Sequence, residues 1–328
     1  FEIDFFQRYR TGKPATRNVT IPDWLGQSLA QENLNSDRTR GFDLTVRHHN
    51  HFGDFLYGIT GNMAFSRMMN RYVEHTDYGT QYLNWRNNST NRYNDIWWGY
   101  DYAGQFNDLY EIWDAPIMDN LGNSQLKPGD YCYEDWNGDG VIDENDLHPI
   151  KYGAQTTPVL YYGLTLDLSW KGIDLTAVFQ GGAFNNVKYD WYLSTPFIYD
   201  KNGPDFFFDR WHMEDASADP LDPRTKWVRG YLPTTSQGSN AMSLNTSTSA
   251  ASLHEASYIR LKSLELGYTL PKKWVQKVNA SSVRVFTNAY NLLTCTGLKY
   301  LDPEHPSSGY GTTYPLICTV NFGVNIKF

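Results

Sequence analysis

The chain has 328 residues and a formal net charge of −8, so it is long enough for one large domain or two ordinary ones. The acidic balance and the absence of basic runs argue against a nucleic-acid-binding protein, and we expect no nucleic-acid partner. No run of about 18 apolar residues occurs, which excludes a transmembrane helix. The mean hydropathy of −0.56 is that of a soluble protein. The strands of a transmembrane β-barrel give the same average, because they alternate apolar and polar residues.

Runs of alternating apolar and polar residues begin at the start of the chain and predict eight strands. The chain begins at Phe1 inside the first of these runs, so we interpret the sequence as part of a longer protein. Only Lys171 and Gly172 separate the fourth and fifth runs, which predicts a tight hairpin. The apolar positions of the eight runs are Phe1, Ile3 and Phe5; Phe42, Leu44 and Val46; Phe55, Tyr57, Ile59, Met63 and Phe65; Leu164, Leu166, Leu168 and Trp170; Ile173, Leu175, Ala177 and Phe179; Leu264, Leu266, Tyr268 and Leu270; Val283, Val285 and Ala289; and alternate residues of 316–328.

The connections between the predicted strands alternate in length. The short ones lie near Gly53, at Lys171–Gly172 and at 271–280, and the long ones are 11–37, 67–157, 184–252 and 292–314. Short turns at one end and long loops at the other are typical of an outer-membrane barrel. A soluble sandwich is the alternative, but it does not require this alternation. A thirteen-residue alternating run that ends on Phe328 is typical of the last barrel strand, and it makes every long loop extracellular.

One segment of the loop 67–157 has the spacing of an EF-hand-like calcium loop. Its oxygen donors at positions one, three, five, seven, nine and twelve are Asp135, Asn137, Asp139, the carbonyl of Val141, Asp143 and Asp146. Gly140 permits the sharp turn, and the clustered carboxylates repel one another unless a cation offsets their charge. The flanks do not read as paired helices, so we expect structural calcium, with magnesium as the alternative ion, and no helix-opening switch. A solvated acidic turn is the other interpretation.

Aromatic residues make up 16% of the chain, and many of them lie in the long loops. Trp97, Trp98 and Trp211 are the candidate ligand-binding residues, because flat rings suit the faces of sugars. The same composition also suits a protein–protein interface or plain loop packing. The sequence contains no serine-hydrolase, zinc-protease, dinucleotide-binding or P-loop motif, and no glycosidase carboxylate pair can be argued. We therefore expect a protein that is not an enzyme.

Taken together, several segments resemble SusC-type TonB-dependent transporters. They are Gly129–Asp130, the acidic loop 135–143, and residues 32–33, 40–42, 162–164, 170–175, 179–181, 256–271, 291–294, 301–304 and 322–328. The resemblance implies a 22-stranded antiparallel barrel that is closed by an N-terminal plug and driven through the TonB complex. It also implies a SusD-like lipoprotein as partner and import of oligosaccharides, or of peptides, across the bacterial outer membrane.

On this interpretation residues 1–328 are the C-terminal part of the barrel domain, the last eight strands in the lipid bilayer, without the plug and the first strands. Residues 135–146 form a metal loop within an extracellular loop. Two other classes remain as alternatives: a non-transporting eight-stranded barrel or adhesin, and a secreted carbohydrate-binding module stabilised by calcium. The missing start and the very long loops disfavour the first, and the terminal strand ending on Phe328 disfavours the second.

Overall fold

The eight predicted runs form one antiparallel sheet in the computed structural model of the chain. The structure describes residues 1–18, 29–119, 121–153, 157–189, 191–195, 202–235, 244–276, 280–304 and 316–328. The strands of the sheet are β1 (Glu2–Thr16), β2 (Gln31–Phe52), β3 (Phe55–Tyr72), β4 (Leu160–Trp170), β5 (Ile173–Ala183), β6 (Tyr258–Thr269), β7 (Ser282–Thr296) and β8 (Thr319–Lys327). Neighbours in the chain are neighbours in the sheet. The predicted all-β class with an antiparallel sheet is confirmed, and the total of 22 strands stays a prediction.

The short connections follow from local turn chemistry. Lys171 and Gly172 both have positive φ, 47° and 89°, as the two-residue turns of hairpins require. Gly53 begins the two-residue turn between β2 and β3 with a φ of 59°. The connection between β6 and β7 contains a short helix and residues 277–279, which lie outside the described residues. The hairpin predicted at Lys171–Gly172 is therefore confirmed.

Several strand ends differ from the predicted ones. The first three strands and β7 continue into segments that we predicted as loops, and β2 alone has 22 residues. That length is about twice what a strand needs to cross a bilayer, so these strands extend beyond it. The last strand is shorter than predicted and begins at Thr319 rather than at residue 316. Asn291 has a φ of 53°, and its side-chain amide donates to the Ile317 carbonyl at 3.1 Å, where the ladder would otherwise continue.

One face of the sheet is apolar from edge to edge. Residues directly opposite each other in a ladder point to the same side, and the register aligns Ile59 with Leu166, Leu166 with Ala177, and Ala177 with Leu264. Large side chains on this face lie uncovered, among them Leu164, Ile259, Leu266, Phe322 and Val324. A protein in water would bury such a face, whereas the lipid-facing side of a barrel has this composition.

The opposite face is polar and holds ion pairs. The Arg284 guanidinium contacts Asp174 on β5 and Glu265 on β6, with an Nη2–Oε1 distance of 2.6 Å to Glu265. Gly267 leaves room for it, because a Cβ there would collide with the guanidinium. Charged groups of both signs on one face exclude lipid contact there. The polar face is therefore the side that faces away from lipid.

Aromatic rings gather at the end of the sheet that holds the short turns. The Tyr57 ring stacks near Phe52 and Phe55, with centroid distances of 5.7 Å and 6.3 Å. Trp170 is half exposed, and the Lys171 ammonium lies 5.4 Å from its ring centroid. Amphipathic rings of this kind are enriched where a membrane meets water.

The long connections contain secondary structure of their own. Among the described residues, the long connections contain the helices α1 (Gln81–Asn87), α2 (Leu109–Asp114) and α3 (Trp191–Ser194) and the 3-10 turns Glu144–Asp146 and Asp205–Phe208. The helix α4 (Lys272–Val275) lies in the short connection between β6 and β7. Four two-stranded ribbons pair Ile96–Gly99 with His148–Tyr152, Tyr102–Gln105 with Tyr131–Tyr133, Asn186–Lys188 with Leu253–Glu255, and His212–Met213 with Trp227–Val228. The long connections are therefore folded over much of their described length.

Reversing the polarity of the apolar face tests which side meets lipid. We expect Leu164→Arg to lower strongly the amount of full-length protein in the outer membrane, because arginine on a lipid-facing strand costs about 2–4 kcal/mol at the midplane. Thr165→Arg, one residue further and on the polar face, is the matched control and should assemble nearly as well as the wild type. The measurement is the quantity of heat-modifiable protein in purified outer membranes. Equal losses in the two variants would contradict the assignment of the faces.

Candidate functional site in the long loops

A small hydrophobic core holds the loop between β3 and β4 together. Its buried members are Phe106, Leu109, Ile112, Met118, Leu126, Tyr131, Tyr133 and Ile142. The helix α2 is too short to be stable alone. It is held by burying Leu109 and Ile112 and by Asp108, whose side chain accepts the Glu111 amide at 2.9 Å as an N-cap. The loop is thus a packed unit that can present a fixed surface.

A buried carboxylate joins this unit to two other segments. Asp130 is completely buried, and it accepts hydrogen bonds from the Lys127 amide at 2.8 Å, the Thr234 hydroxyl at 2.9 Å and the Asn245 side-chain amide at 2.7 Å. Burial raises the pKa of Asp130, and the three donors oppose that rise. Because Thr234 and Asn245 lie more than a hundred residues away in the chain, Asp130 fixes the long loops against each other.

The acidic segment 135–146 folds into a closed loop. Asp135 accepts the amides of Gly138 and Gly140, both at 2.7 Å, and these bonds, that of Gly140 first, lower the pKa of Asp135. At the other end Asp146 is fully buried and accepts the Trp136 amide at 2.9 Å. The twelfth position therefore reaches back to the second and closes the loop.

The remaining predicted metal ligands make local hydrogen bonds instead of converging. Asp139 Oδ1 accepts the Val141 amide at 2.9 Å, Asn137 Oδ1 accepts the Asp139 amide at 2.8 Å, and Asp143 Oδ1 accepts the Asn145 amide at 2.6 Å. Within the described ranges, no three acidic, histidine or cysteine side chains are close enough to hold a metal ion. The donor types and the loop closure fit a cation, but the side chains do not surround one, and calcium stays a prediction.

Two of the three predicted ligand-binding tryptophans lie in the ribbon Ile96–Gly99. Trp97 is partly buried, and its indole N–H donates to the Gly153 carbonyl at 2.9 Å. Trp98 meets the edge of the Trp85 ring at 5.1 Å between centroids, and the Arg92 guanidinium lies 4.8 Å from its centroid. Trp98 thus packs against Trp85 and Arg92, and the rings of both Trp97 and Trp98 are only partly accessible.

The third predicted tryptophan lies inside the loop assembly. Trp211 is 4% exposed, and its indole N–H donates to the Gln105 side chain at 3.1 Å. Its ring lies against Gly129, where a Cβ would collide with it and where φ is +93°. The role that this arrangement supports for Trp211 is packing between loops, which was one of the interpretations open from the sequence.

A cavity of about 360 Å³ lies between the long loops, in the size range of small-ligand pockets, roughly 300–1,000 Å³. Two stacked pairs line it: Tyr189 on His254, with centroids 4.0 Å apart, and Phe206 on Tyr300, 4.1 Å apart. Burial raises the pKa of Tyr189 to about 12, so its hydroxyl is neutral at ordinary pH. Burial and the nearby Lys151 lower the pKa of His254, which favours a neutral ring as well.

The same cavity contains two lysines that sequence reasoning missed. Lys188 lies in its wall and is partly buried, and Lys299 lies in its lining on an exposed stretch of chain. Burial lowers the pKa of Lys188. No motif marks either residue, because the cavity forms from segments that are far apart in the chain.

A second accessible surface lies on α2. Tyr110 and Trp113 are 63% and 61% exposed and meet edge to face, with centroids 5.3 Å apart. Ile117 and Leu121 follow shortly after α2 and are also exposed. Exposed aromatic groups on an ordered loop are typical of interaction sites.

Comparison with known proteins shows what the chain is related to. No family model matches it. TonB-dependent receptor P3 of Formosa agariphila is 23% identical in an alignment of length 332 that covers 94% of this chain and 30% of that receptor. TonB-dependent receptor SusC of Bacteroides thetaiotaomicron is 26% identical over 203 residues, which are 62% of this chain and 18% of SusC. The homologues of this chain are TonB-dependent receptors. The resemblance seen in the sequence is therefore confirmed.

Solved structures agree with this relationship at the level of the fold. A structure of the RagAB peptide transporter matches 99% of this chain and 33% of its own, with 19% identity and a TM-score of 0.65. The RagAB peptide importer in the open-open state matches 99% of this chain and 32% of its own, with 20% identity and a TM-score of 0.67. The chain thus spans about a third or less of the proteins that it resembles.

The relationship to TonB-dependent receptors also sets the location. These receptors are outer-membrane β-barrel proteins, and the uncovered apolar face of the sheet is suited to that membrane. The outer membrane is therefore the location of this chain. Every helix of the described residues is too short or too polar to pass through a bilayer.

Proposed function

We propose that the chain forms part of an active outer-membrane importer that takes up oligosaccharides with energy supplied through TonB. The observation that carries the proposal is that 99% of the chain, sheet and loops together, follows the fold of the RagAB peptide transporter. The relationship to TonB-dependent receptors supports the source of energy. No enzyme activity is proposed.

The edges of the sheet support the idea that other strands complete the barrel. Among the described residues β1 pairs only with β2, and β8 pairs only with β7. An eight-stranded barrel complete in itself would pair β1 with β8, since lipid cannot satisfy free backbone groups. We infer that a longer protein supplies these partners, with 22 strands in all, and that its N-terminal part forms the plug and contacts the TonB complex.

The substrate is proposed from the chemistry of the loops. Aromatic rings beside polar side chains surround the cavity, a combination that suits sugar rings and their hydroxyls. Peptides are the alternative substrate, and the RagAB structures, which are of a peptide transporter, favour it. A non-transporting barrel or adhesin is the remaining alternative.

The exposed face of α2 supports a protein partner. Tyr110 and Trp113 are large rings on a helix whose inner face is fixed by a hydrophobic core. Buried aromatic groups dominate the energy of many protein interfaces. We propose that a SusD-like lipoprotein covers this face and encloses substrate between itself and the barrel.

Calcium is the proposed ion of the acidic loop. Six donors at EF-hand spacing, together with the closure of the loop through Asp146, support it. Asp135, Asn137, Asp139, Asp143, Asp146 and the carbonyl of Val141 are the proposed ligands. The Ile142 amide donates to the Ile117 carbonyl at 2.8 Å, so bound calcium would stiffen a segment already attached to the loop core.

Uptake assays test the proposed transport. Cells that express the full-length protein should accumulate fluorescently labelled oligosaccharides, and dissipating the proton gradient or deleting TonB should abolish accumulation. A deletion strain supplies the background. A parallel panel of labelled peptides separates the two substrate classes. Uptake that persists without TonB, or no uptake of either class, would contradict the proposal.

A double substitution on α2 tests the partner. Tyr110→Ala with Trp113→Ala should reduce by at least about tenfold the amount of lipoprotein that copurifies with the full-length protein in mild detergent, because aromatic anchors are typical hot spots. Trp274→Ala is the control, since Trp274 is 62% exposed but lies in α4 beside a short turn. If no stoichiometric lipoprotein copurifies with the wild type in several detergents, the partnered model is wrong.

Terbium luminescence tests the acidic loop. Trp136 lies at its second position and is half exposed, so it should sensitise bound terbium, and calcium should compete. Asp139→Asn keeps the hydrogen-bonding shape and removes one charge, and it should weaken binding by about tenfold or more. Asp114→Asn changes an exposed aspartate of α2 and is the control.

Calcium at about 100 times its Kd should add roughly 2.7 kcal/mol to the stability of the folded loop. Absence of both the luminescence and the stabilisation would refute the site.

A further inference from the structure

The cavity between the long loops combines an unpaired cation with aromatic walls. Lys188 is brought there by the ribbon Asn186–Lys188, which pairs with Leu253–Glu255. Its ammonium group has three donors, and one of them donates to the Thr248 hydroxyl at 3.4 Å, near the upper limit for such a bond. The described residues contain no ion pair that involves Lys188 or Lys299.

Among the described residues, the lining contains one carboxylate, that of Asp209, and it forms no ion pair with either lysine. Its Oδ1 accepts the Tyr231 amide at 3.1 Å. The described lining therefore includes two lysines and one aspartate that is already hydrogen-bonded. A partly buried ammonium without an anionic partner is unfavourable, and an anion that enters the cavity would remove that cost.

The walls indicate what surrounds the negative charge on the ligand. Tyr300 is 57% exposed although it stacks on Phe206, so one of its faces is open to a ligand. Tyr231 is 69% exposed and contributes a second accessible ring. Burial raises the pKa of Tyr189 and lowers that of His254, which favours the neutral form of both rings. A ligand that fits these walls has a compact body which packs on a ring and one acidic group.

We propose that this cavity is a binding site for a ligand carboxylate, held by Lys188 and assisted by Lys299, with the body of the ligand against Tyr300 and Tyr231. An acidic sugar and the free C-terminus of a short peptide both supply such a group. The proposal rests on the proposed function insofar as it assigns the charge of a substrate that the importer captures. It differs from that proposal because it concerns recognition by loops, which can be measured without transport.

Binding to the purified full-length protein in detergent is the test. The probes are trigalacturonate with neutral maltotriose as its counterpart, and a tripeptide with a free C-terminus with the same peptide amidated. We expect at least one acidic probe to bind at least about tenfold more tightly than its neutral counterpart, as a charge-assisted hydrogen bond allows. Which acidic probe binds identifies the source of the carboxylate.

Substitutions then locate the charge. Lys188→Gln should weaken binding of the acidic probe by about tenfold or more. It should change the affinity for the neutral probe by no more than about twofold. Lys188→Arg keeps the charge and should retain most of the preference. Lys171→Gln, at a short turn on the other end of the sheet, is the matched control and should change neither. Thermal melting of each variant shows whether it is folded.

The outcomes separate this inference from the proposed function. Equal binding of acidic and neutral probes, or equal weakening of both by Lys188→Gln in a folded protein, overturns the carboxylate site even if TonB-dependent uptake is intact. Failure of both acidic probes to bind overturns it as well. Loss of uptake with the charge preference intact would overturn the transport proposal and leave the site standing.

Discussion

The backbone of the sheet imposes the constraint on which the rest of the structure depends. Lipid offers no hydrogen-bonding partner, so each N–H and C=O in a membrane-crossing strand needs one in the neighbouring strand. The continuous antiparallel ladders meet that requirement on both sides of β2 to β7 and on the inner sides of β1 and β8. Because a ladder fixes which residues are opposite, it also fixes one apolar and one polar face, and a slip of one residue would exchange them. Both the membrane contact and the position of the loops follow from this register.

Much of the sheet was predictable because period-two alternation is a local property of the sequence. The hairpin at Lys171–Gly172 was predictable for the same reason, since two residues must reverse the chain. The ends of the strands were not, because they depend on pairing. β8 begins three residues late owing to the conformation of Asn291, and nothing in residues 316–318 signals that. The apolar pattern predicts where a strand can form. The end of the strand is set by where backbone pairing with the neighbouring strand ends.

The candidate site was less predictable than the sheet. The acidic loop was found because its donors follow one another in the chain, and the structure closes it through Asp146. Trp211 was selected for its chemistry, yet the structure buries it against Gly129. Asp130 and Lys188 act through residues from distant segments, so their roles emerge only when the loops are folded together. Residue type alone does not show whether an aromatic side chain is exposed for ligand binding or buried against its neighbours.

A bulge in β6 shows how the sheet and the loops are joined. The pairing of β6 shifts between Leu261 and Ser263 with both of its neighbours, and Arg260 and Lys262 lie at this shift. Arg260 is nearly buried and forms ion pairs with Asp302 at 2.7 Å and Glu304 at 2.9 Å, and Lys262 reaches Glu304 at 2.8 Å.

These ion pairs bind the loop after β7 to the polar face of the sheet. Burial raises the pKa of Asp302, but the backbone amide of Glu304 and the Arg260 guanidinium outweigh burial, so that the pKa is lowered overall. Removing one partner of a buried pair leaves an uncompensated charge, which is strongly destabilising. Lys299 and Tyr300, which line the cavity, lie only two to five residues before Asp302 and Glu304. The sheet therefore helps to position the cavity through the ion pairs that Arg260 and Lys262 of β6 form with the loop after β7.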